Sequence, residues 1–351
     1  MTTYIIKRLL LMIPTLIGIS IVVFCILRAA PGDPLTLQAS NESGTVAMDP
    51  KMRDAFKAMR ERYGLDKPLP VAYGSYMWKV LHGDLGESII EHRPVKDMIL
   101  ERCGLTIKLN LTSELMLYLF AIPLGLLAAR NRFAPPLRRF VCDTGQGVML
   151  LVLYSLPAIL VGTLLITYLA HGGILEDWLI EHHHENWLWV IAPIGAVHSP
   201  QSDQLGYWAY LRDVGWHFVL PVLTLSLGGL AFMSKMARAS LLENMRMDYV
   251  RTAYAKGLKE RVVVYVHALR NSLLPLITML PLIIPGMLGG SVIVESIFNL
   301  PGMGLLYWQA VTRRDYEMIQ AEALVVATLV LLAVLLSDIL YAVADPRVRY
   351  D

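Results

Sequence analysis

Charge is what this 351-residue chain has too little of. Only 17% of its residues are Asp, Glu, Lys or Arg, where a soluble domain carries about a quarter. The deficit excludes a freely solvated globule and points to lipid. Cysteine is sparse too: Cys25, Cys103 and Cys142 are dispersed, with no CxxC pair. That excludes a disulfide framework and a zinc site, and Cys25 and Cys142, lying in apolar runs, read as small core hydrophobes. No G-x-x-x-x-G-K-[ST] phosphate loop occurs, so nothing in the chain can hydrolyse ATP. The net charge of +2 names no partner by itself.

Long apolar runs are what the chain does have, since 55% of it is hydrophobic. Six stretches reach the ~20 residues that a helix needs to cross a bilayer: Ile5 to Ala30, Leu105 to Ala129, Val141 to Ala170, Trp216 to Met236, Leu276 to Phe298 and Ile319 to Ala344. The apolar core of the first, Leu9 to Leu27, exceeds the length of a cleaved signal peptide and reads as a retained anchor. A run at Trp187 to Val197 is too short to span. The expected fold is an all-α integral membrane protein with six transmembrane helices. Residues 1–30 form the anchor, 31–104 an outer helical segment and 105–351 a transmembrane domain.

The loops set the expected orientation, because lysine and arginine concentrate on the cytoplasmic side. Arg130, Arg132, Arg138 and Arg139 occupy one short loop with no acid. Lys235 to Arg270 holds eight cations against Glu243, Asp248 and Glu260, whereas Gly172 to Val214 holds six acids against Arg212 alone. Both basic loops therefore belong in the cytoplasm. So do both termini, which carry Lys7, Arg8, Arg347 and Arg349.

In the outer segment, "DPKMRDAFKAMRERYG" has Asp49 as N-cap, Pro50 at the first helical position and Gly64 as a stop. Met52, Phe56, Met59 and Tyr63 repeat at helical spacing. Further helices are expected over Val71 to His82, ended by Gly83, and Pro94 to Cys103. Either a packed cap over the membrane domain or a docking surface for a soluble partner would use them.

The loop between spans four and five (237–275) carries "DYVRTAYAKGLKERVVVYVHALRNSLLP". Its valines favour a strand by propensity, but an isolated strand leaves its edges unpaired. As helix, Val262, Val266, Leu269 and Leu273 line one face, and Gly257 divides it from a short helix over Asp248 to Lys256. Such a pair makes a compact knob; an amphipathic anchor on lipid headgroups is the alternative.

This stretch resembles the EAA loop of binding-protein-dependent ABC importer permeases, oligopeptide/dipeptide branch. So do "IKRLLLMIPTLIGISIVVFCILRAAPGDP", "RYGLDKPLP", "HGDLGESI", "HFVLPVLTLSLGGLA", "VESIFNLPGMGLLYWQAVTRRDYEMIQ" and "DILYAVADPRVRY". Together these cover most of the chain apart from Gly172 to Gln204. Only Ala253, Gly257 and Leu269 match the broad loop pattern, since Arg251, Thr252 and Ala253 stand at its Glu-Ala-Ala triplet.

The resemblance implies a coupling helix that docks on a separate ATPase, with Arg251, Ala253, Tyr254, Ala255, Lys256, Gly257, Leu258, Lys259 and Arg261 as its working residues. Ala253, Ala255 and Gly257 would give a thin profile, Tyr254 and Leu258 the anchors, and Lys256, Lys259 and Arg261 the electrostatic orientation. It implies a multi-pass inner-membrane subunit, itself without catalytic residues, metal or cofactor, that carries peptides or peptide-like solutes. ATP and magnesium would sit in the ATPase. The expected partners are a second homologous permease, two cytoplasmic ATPase subunits, an extracytoplasmic substrate-binding protein and membrane lipid, but no nucleic acid.

Span five is the expected gate, since Pro285, Gly289 and Gly290 interrupt it and such breaks survive in lipid only when buried in protein or lining a cavity. Glu114, Glu295 and Asp338 are intramembrane carboxylates, candidates for the pathway or for pairing inside the bundle. Two rival classes remain. A metal-binding protein would use His182, His183 and His184 with Glu181, Glu185, His171 and His198, yet three adjacent histidines cannot face one ion from a single helix, and no HExxH occurs. An ion-coupled secondary transporter would show repeat symmetry and paired broken helices, and neither is found.

Overall fold

The computed structural model describes residues 2–30, 66–130, 135–170, 173–181, 193–199, 204, 206–284 and 291–344. The helix expected over 49–64, the His182–Glu185 cluster with His171, and Pro285, Gly289 and Gly290 lie outside the described residues. Among the described residues, four helices are long and apolar enough to cross a membrane, and a bent pair makes a fifth if counted as one span. The chain divides into two compact units, Met1–Gly104 with Leu306–Leu332, and Leu105–Leu305 with Ala333–Asp351.

In the first unit, α1 (Thr2–Ala29) is apolar on every side. Helix α2 (Leu69–Leu81) starts after Pro68 and stops at Gly83, whose φ of +76° a side chain would oppose. Ser20 Oγ of α1 and the Tyr73 hydroxyl of α2 lie 2.8 Å apart, and Phe24 meets Tyr73 edge-on at 5.4 Å. The first turns of α3 (Val95–Arg130) follow a hairpin in which Ser88 N donates to Arg93 O. Ser88 Oγ, fully buried, donates to Asp315, which also accepts from Ile89 N at 3.2 Å. Asp315 sits between α9 (Met303–Arg313) and α10 (Tyr316–Ala344). The C-terminal end of α1 and the N-terminal ends of α3 and α10 therefore share one side of this unit.

The second unit is built on α3 and α6 (Tyr207–Asn244). A Cβ at Gly125 would fall 2.5 Å from Ser234 O and 2.8 Å from Ala237 Cβ, and one at Gly229 would collide with Leu117. Small residues at these crossings let two backbones approach, which is how helices associate when both solvent and partner are apolar. The matched order, Leu117 with Gly229 and Gly125 with Ser234, makes α3 and α6 parallel. Leu109, Phe218, Leu220, Val222, Val294 and Phe298 form the main core, joining both helices to α5 (Ala158–Leu169) and α8 (Val292–Ile297).

Three expectations are corrected. Pro94 to Cys103 is not a separate helix but the first turns of α3. The third apolar stretch is not straight: α4 (Gln146–Ser155) and α5 meet at 97°. Pro157 lacks an N–H and forces Leu156 out of the helical region, to ψ 124°. The fifth stretch breaks as well, into short turns over Leu274–Ile277 and Leu280–Leu282 and then α8.

Candidate functional site

Helix α6 ends at Asn244, and the chain turns at Met247 into α7 (Asp248–Ala255). Asp248 sits in the first turn, where an acid complements the exposed N–H groups. Its carboxylate lies 3.4 Å from Arg251, a pair too exposed to add much stability. The far end of α7 is closed by two bonds, Gly257 N to Tyr254 O at 2.9 Å and Leu258 N to Ala253 O at 3.4 Å. This is the Schellman arrangement, which needs a left-handed residue one place beyond the cap. Gly257 supplies it at φ +78°.

Beyond Lys259 the backbone re-enters a helical turn and widens into π-type geometry over Val263–Ala268. Val250, Ala253, Val263 and Ala268 are buried together against Leu241 of α6 and Ala129 of α3. Ser272 Oγ contributes a bond to Ala268 O at 2.7 Å. The knob is therefore mounted on the parallel ends of α3 and α6 through its own apolar face. Its other face is open. Tyr254 is 42% exposed and Leu258 38%, and Arg251, Ala255, Lys256, Lys259, Glu260 and Arg261 are exposed around them. Partial burial, and then the charge of Glu260, push the Tyr254 phenol above its ordinary value, so it remains a neutral hydroxyl.

Two readings of this loop change with the geometry. Ala253 faces the chain's own core and adds nothing to an outer profile. Within the chain Gly257 serves the backbone, since its φ of +78° is left-handed and no atom of the chain lies within 4 Å of where its Cβ would be. The expected stripe of Val262, Val266, Leu269 and Leu273 is displaced. Val263, Val264, Ala268 and Ser272 are buried, while Val262 and Val266 are exposed. The extra residue per turn of the π segment rotates the register, and a run of valines offers no polar residue to mark the outer side. The outer face therefore also includes Tyr249, Val262, Tyr265 and Val266. Tyrosines flanking a cation-rich loop were the available signal for two of these.

Of the intramembrane carboxylates, Glu295 is fully buried on α8. It accepts from Ser291 N at 3.2 Å, Thr106 Oγ1 at 3.1 Å and Leu305 N at 3.0 Å, and Thr106 Oγ1 accepts from Met303 N. A Cβ on Gly302 would collide with both side chains. Glu295 thus braces the "NLPGMG" turn before α9. Glu114 is half-buried on α3, one turn from Tyr118, whose hydroxyl donates to Leu276 O at 2.9 Å. Asp338 is half-buried on α10, next to Ser337, which donates to Thr278 O. Among the described residues, no group of three or more His, Cys, Asp or Glu is placed to hold a metal.

Comparison with known proteins gives the geometry its context. Residues 121–350 match the family "binding-protein-dependent transport system inner membrane component", and residues 1–110 match its N-terminal companion. Over the full length of both chains, the sequence is 36% identical to the oligopeptide transport system permease protein AppB of Bacillus subtilis. It is 35% identical, again over the full length of both, to the glutathione transport system permease proteins GsiC of Escherichia coli and Pectobacterium atrosepticum.

Proposed function

Since the chain belongs to the family of inner membrane components of binding-protein-dependent transport systems, we propose that it forms half of a peptide-conducting pathway driven through the 248–266 knob. A separate ATPase grips the exposed face of that knob. A second homologous permease completes the pathway, two ATPase subunits power it, and an outer binding protein delivers the solute. The relatives' names favour a short peptide or a peptide-like thiol as cargo.

The observation that carries this reading is the two-faced mounting of α7. Val250, Ala253, Val263 and Ala268 fix the knob to α3 and α6, so a push on the knob moves those helices as well. The opposite face offers two large apolar anchors, Tyr254 and Leu258, inside a ring of cations. That is the composition of an interface centre with a steering rim. The parallel course of α3 and α6 puts Arg130 and the knob on one side, and the excess of cations there supports reading that side as cytoplasmic. Bent α4–α5 and the broken fifth stretch supply irregular backbone at membrane depth, suited to lining a path.

The test is transport by the assembled complex in proteoliposomes. Replacing Tyr254 and Leu258 together with alanine should lower ATP-driven uptake about tenfold or more, as expected for interface anchors, while chain abundance in the membrane holds. Uphill uptake driven by an ion gradient, with no ATP present, would remove the reading.

A further inference from the structure

Helix α2 is divided lengthwise into three strips. Ala72 and Tyr76 are buried, with Tyr73, Met77 and Val80 half-buried beside them, and this strip meets α1. On another side Val71, Trp78 and Leu81 stand 56%, 66% and 74% exposed. At 100° per residue they fall within one arc, together with Pro70 and Gly74. Ser75, Lys79 and His82 form a polar edge next to that arc, and the His82 ring lies 4.5 Å from the Trp78 ring.

The depth of α2 identifies what meets the apolar strip. Ser20 Oγ contacts both the Tyr73 hydroxyl, at 2.8 Å, and Met77 Sδ, at 3.7 Å, so the middle of α2 lies at the level of Ser20. Ser20 is nine residues from the C-terminal end of α1, or about 14 Å along the axis. A membrane-spanning α1 of 27 residues is about 40 Å long and overhangs a ~30 Å hydrocarbon core by about 5 Å at each end. The middle of α2 is then about 9 Å inside the hydrocarbon boundary. Groups that mark an interface cluster at the end of α1. The Arg28 guanidinium lies 5.4 Å from the Phe24 ring. A cavity of about 380 Å³ is lined there by Val23, Ile26 and Ala30 together with Tyr307, Arg314 and Tyr316. Tyrosine and arginine gather where a chain leaves lipid.

We propose that α2 is an interfacial membrane helix, with Val71, Trp78 and Leu81 immersed in acyl chains of the leaflet that holds the C-terminal end of α1. Ser75 and Lys79 face the headgroups. On the orientation given under Proposed function that leaflet is the outer one, and this assignment alone rests on that reading. The strip continues the lipid-facing surface of α1, where Ile17, Ile21 and Val22 are exposed. It is therefore not a seat for a soluble protein.

The test uses the full chain with Cys25, Cys103 and Cys142 changed to serine. Val71→Cys, Trp78→Cys, Lys79→Cys and Leu81→Cys are spin-labelled one at a time, in vesicles of phosphatidylethanolamine and phosphatidylglycerol. Collision with oxygen, which partitions into lipid, is compared with collision with a water-soluble nickel chelate. Labels at 71, 78 and 81 should favour oxygen several-fold more strongly than the label at 79. Nickel collision at 78 and 81 equal to that at 79 would overturn the proposal, as would shielding from both reagents, the mark of a protein cover. As a check without labels, acyl-brominated phosphatidylcholine should quench a share of tryptophan emission that Trp78→Phe removes; equal quenching in the two chains counts against immersion. These ratios do not depend on ATP, so a failure of the transport reading leaves them unchanged.

Discussion

Replacing Gly257 separates two explanations of why a glycine stands at the tip of the knob. At φ +78° any residue with a Cβ pays the left-handed penalty, about 1–2 kcal/mol for alanine. No clash is added, since nothing lies within 4 Å of the Cβ position. At about 1.4 kcal/mol per factor of ten, Gly257→Ala should raise local opening of the cap roughly five- to thirtyfold. The readout is hydrogen exchange at the amides of residues 257 and 258, which donate the two closing bonds. Asparagine tolerates the left-handed region, so Gly257→Asn should exchange more slowly than Gly257→Ala. Gly257→Val, β-branched, should be worst. Coupling of ATP hydrolysis to uptake should follow the same order, Asn above Ala above Val. If the tip instead had to be thin for a partner to approach, the smaller alanine would outperform asparagine. Alanine retaining more coupling than asparagine would refute the conformational argument.

Two further outcomes test how the second unit is braced. Glu295→Ala orphans Ser291 N, Leu305 N and Thr106 Oγ1, at about 1–3 kcal/mol for each buried group left unpaired, and should lower the thermal midpoint of the detergent-solubilised chain well below that of Glu295→Gln, which keeps an acceptor. Gly125→Leu forces α3 away from Ser234 and Ala237; overpacking of this kind costs about 1–3 kcal/mol, read as a lower midpoint in the same assay, and no shift would mean that the crossing is looser than described.

What the sequence determined by itself was everything written as a contrast between apolar and polar, or in residues with special backbones. Charge scarcity and run length marked the long helices α1, α3, α6 and α10 as membrane spans. Gly83 ended α2, Gly257 closed α7, and the cations of 235–270 set that loop apart from the apolar stretches on either side. In the membrane this contrast disappears, because a residue facing lipid and one facing the core are equally apolar. In the knob the contrast is missing for another reason, a run of three valines, so whether Val262 or Val263 points inward was undecidable from the pattern, and the tertiary structure settled it through the packing of Ala129, Leu241 and Ala268 and one widened turn. The bend at Pro157 had a local signal in the proline, but its 97° angle did not. Thr106 and Glu295 lie 189 positions apart and meet only because the chain folds α3 against α8. Local chemistry fixes where helices start, stop and enter lipid; which of their faces meet, and which carboxylate is enclosed, depends on partners distant in sequence that only the folded chain brings together.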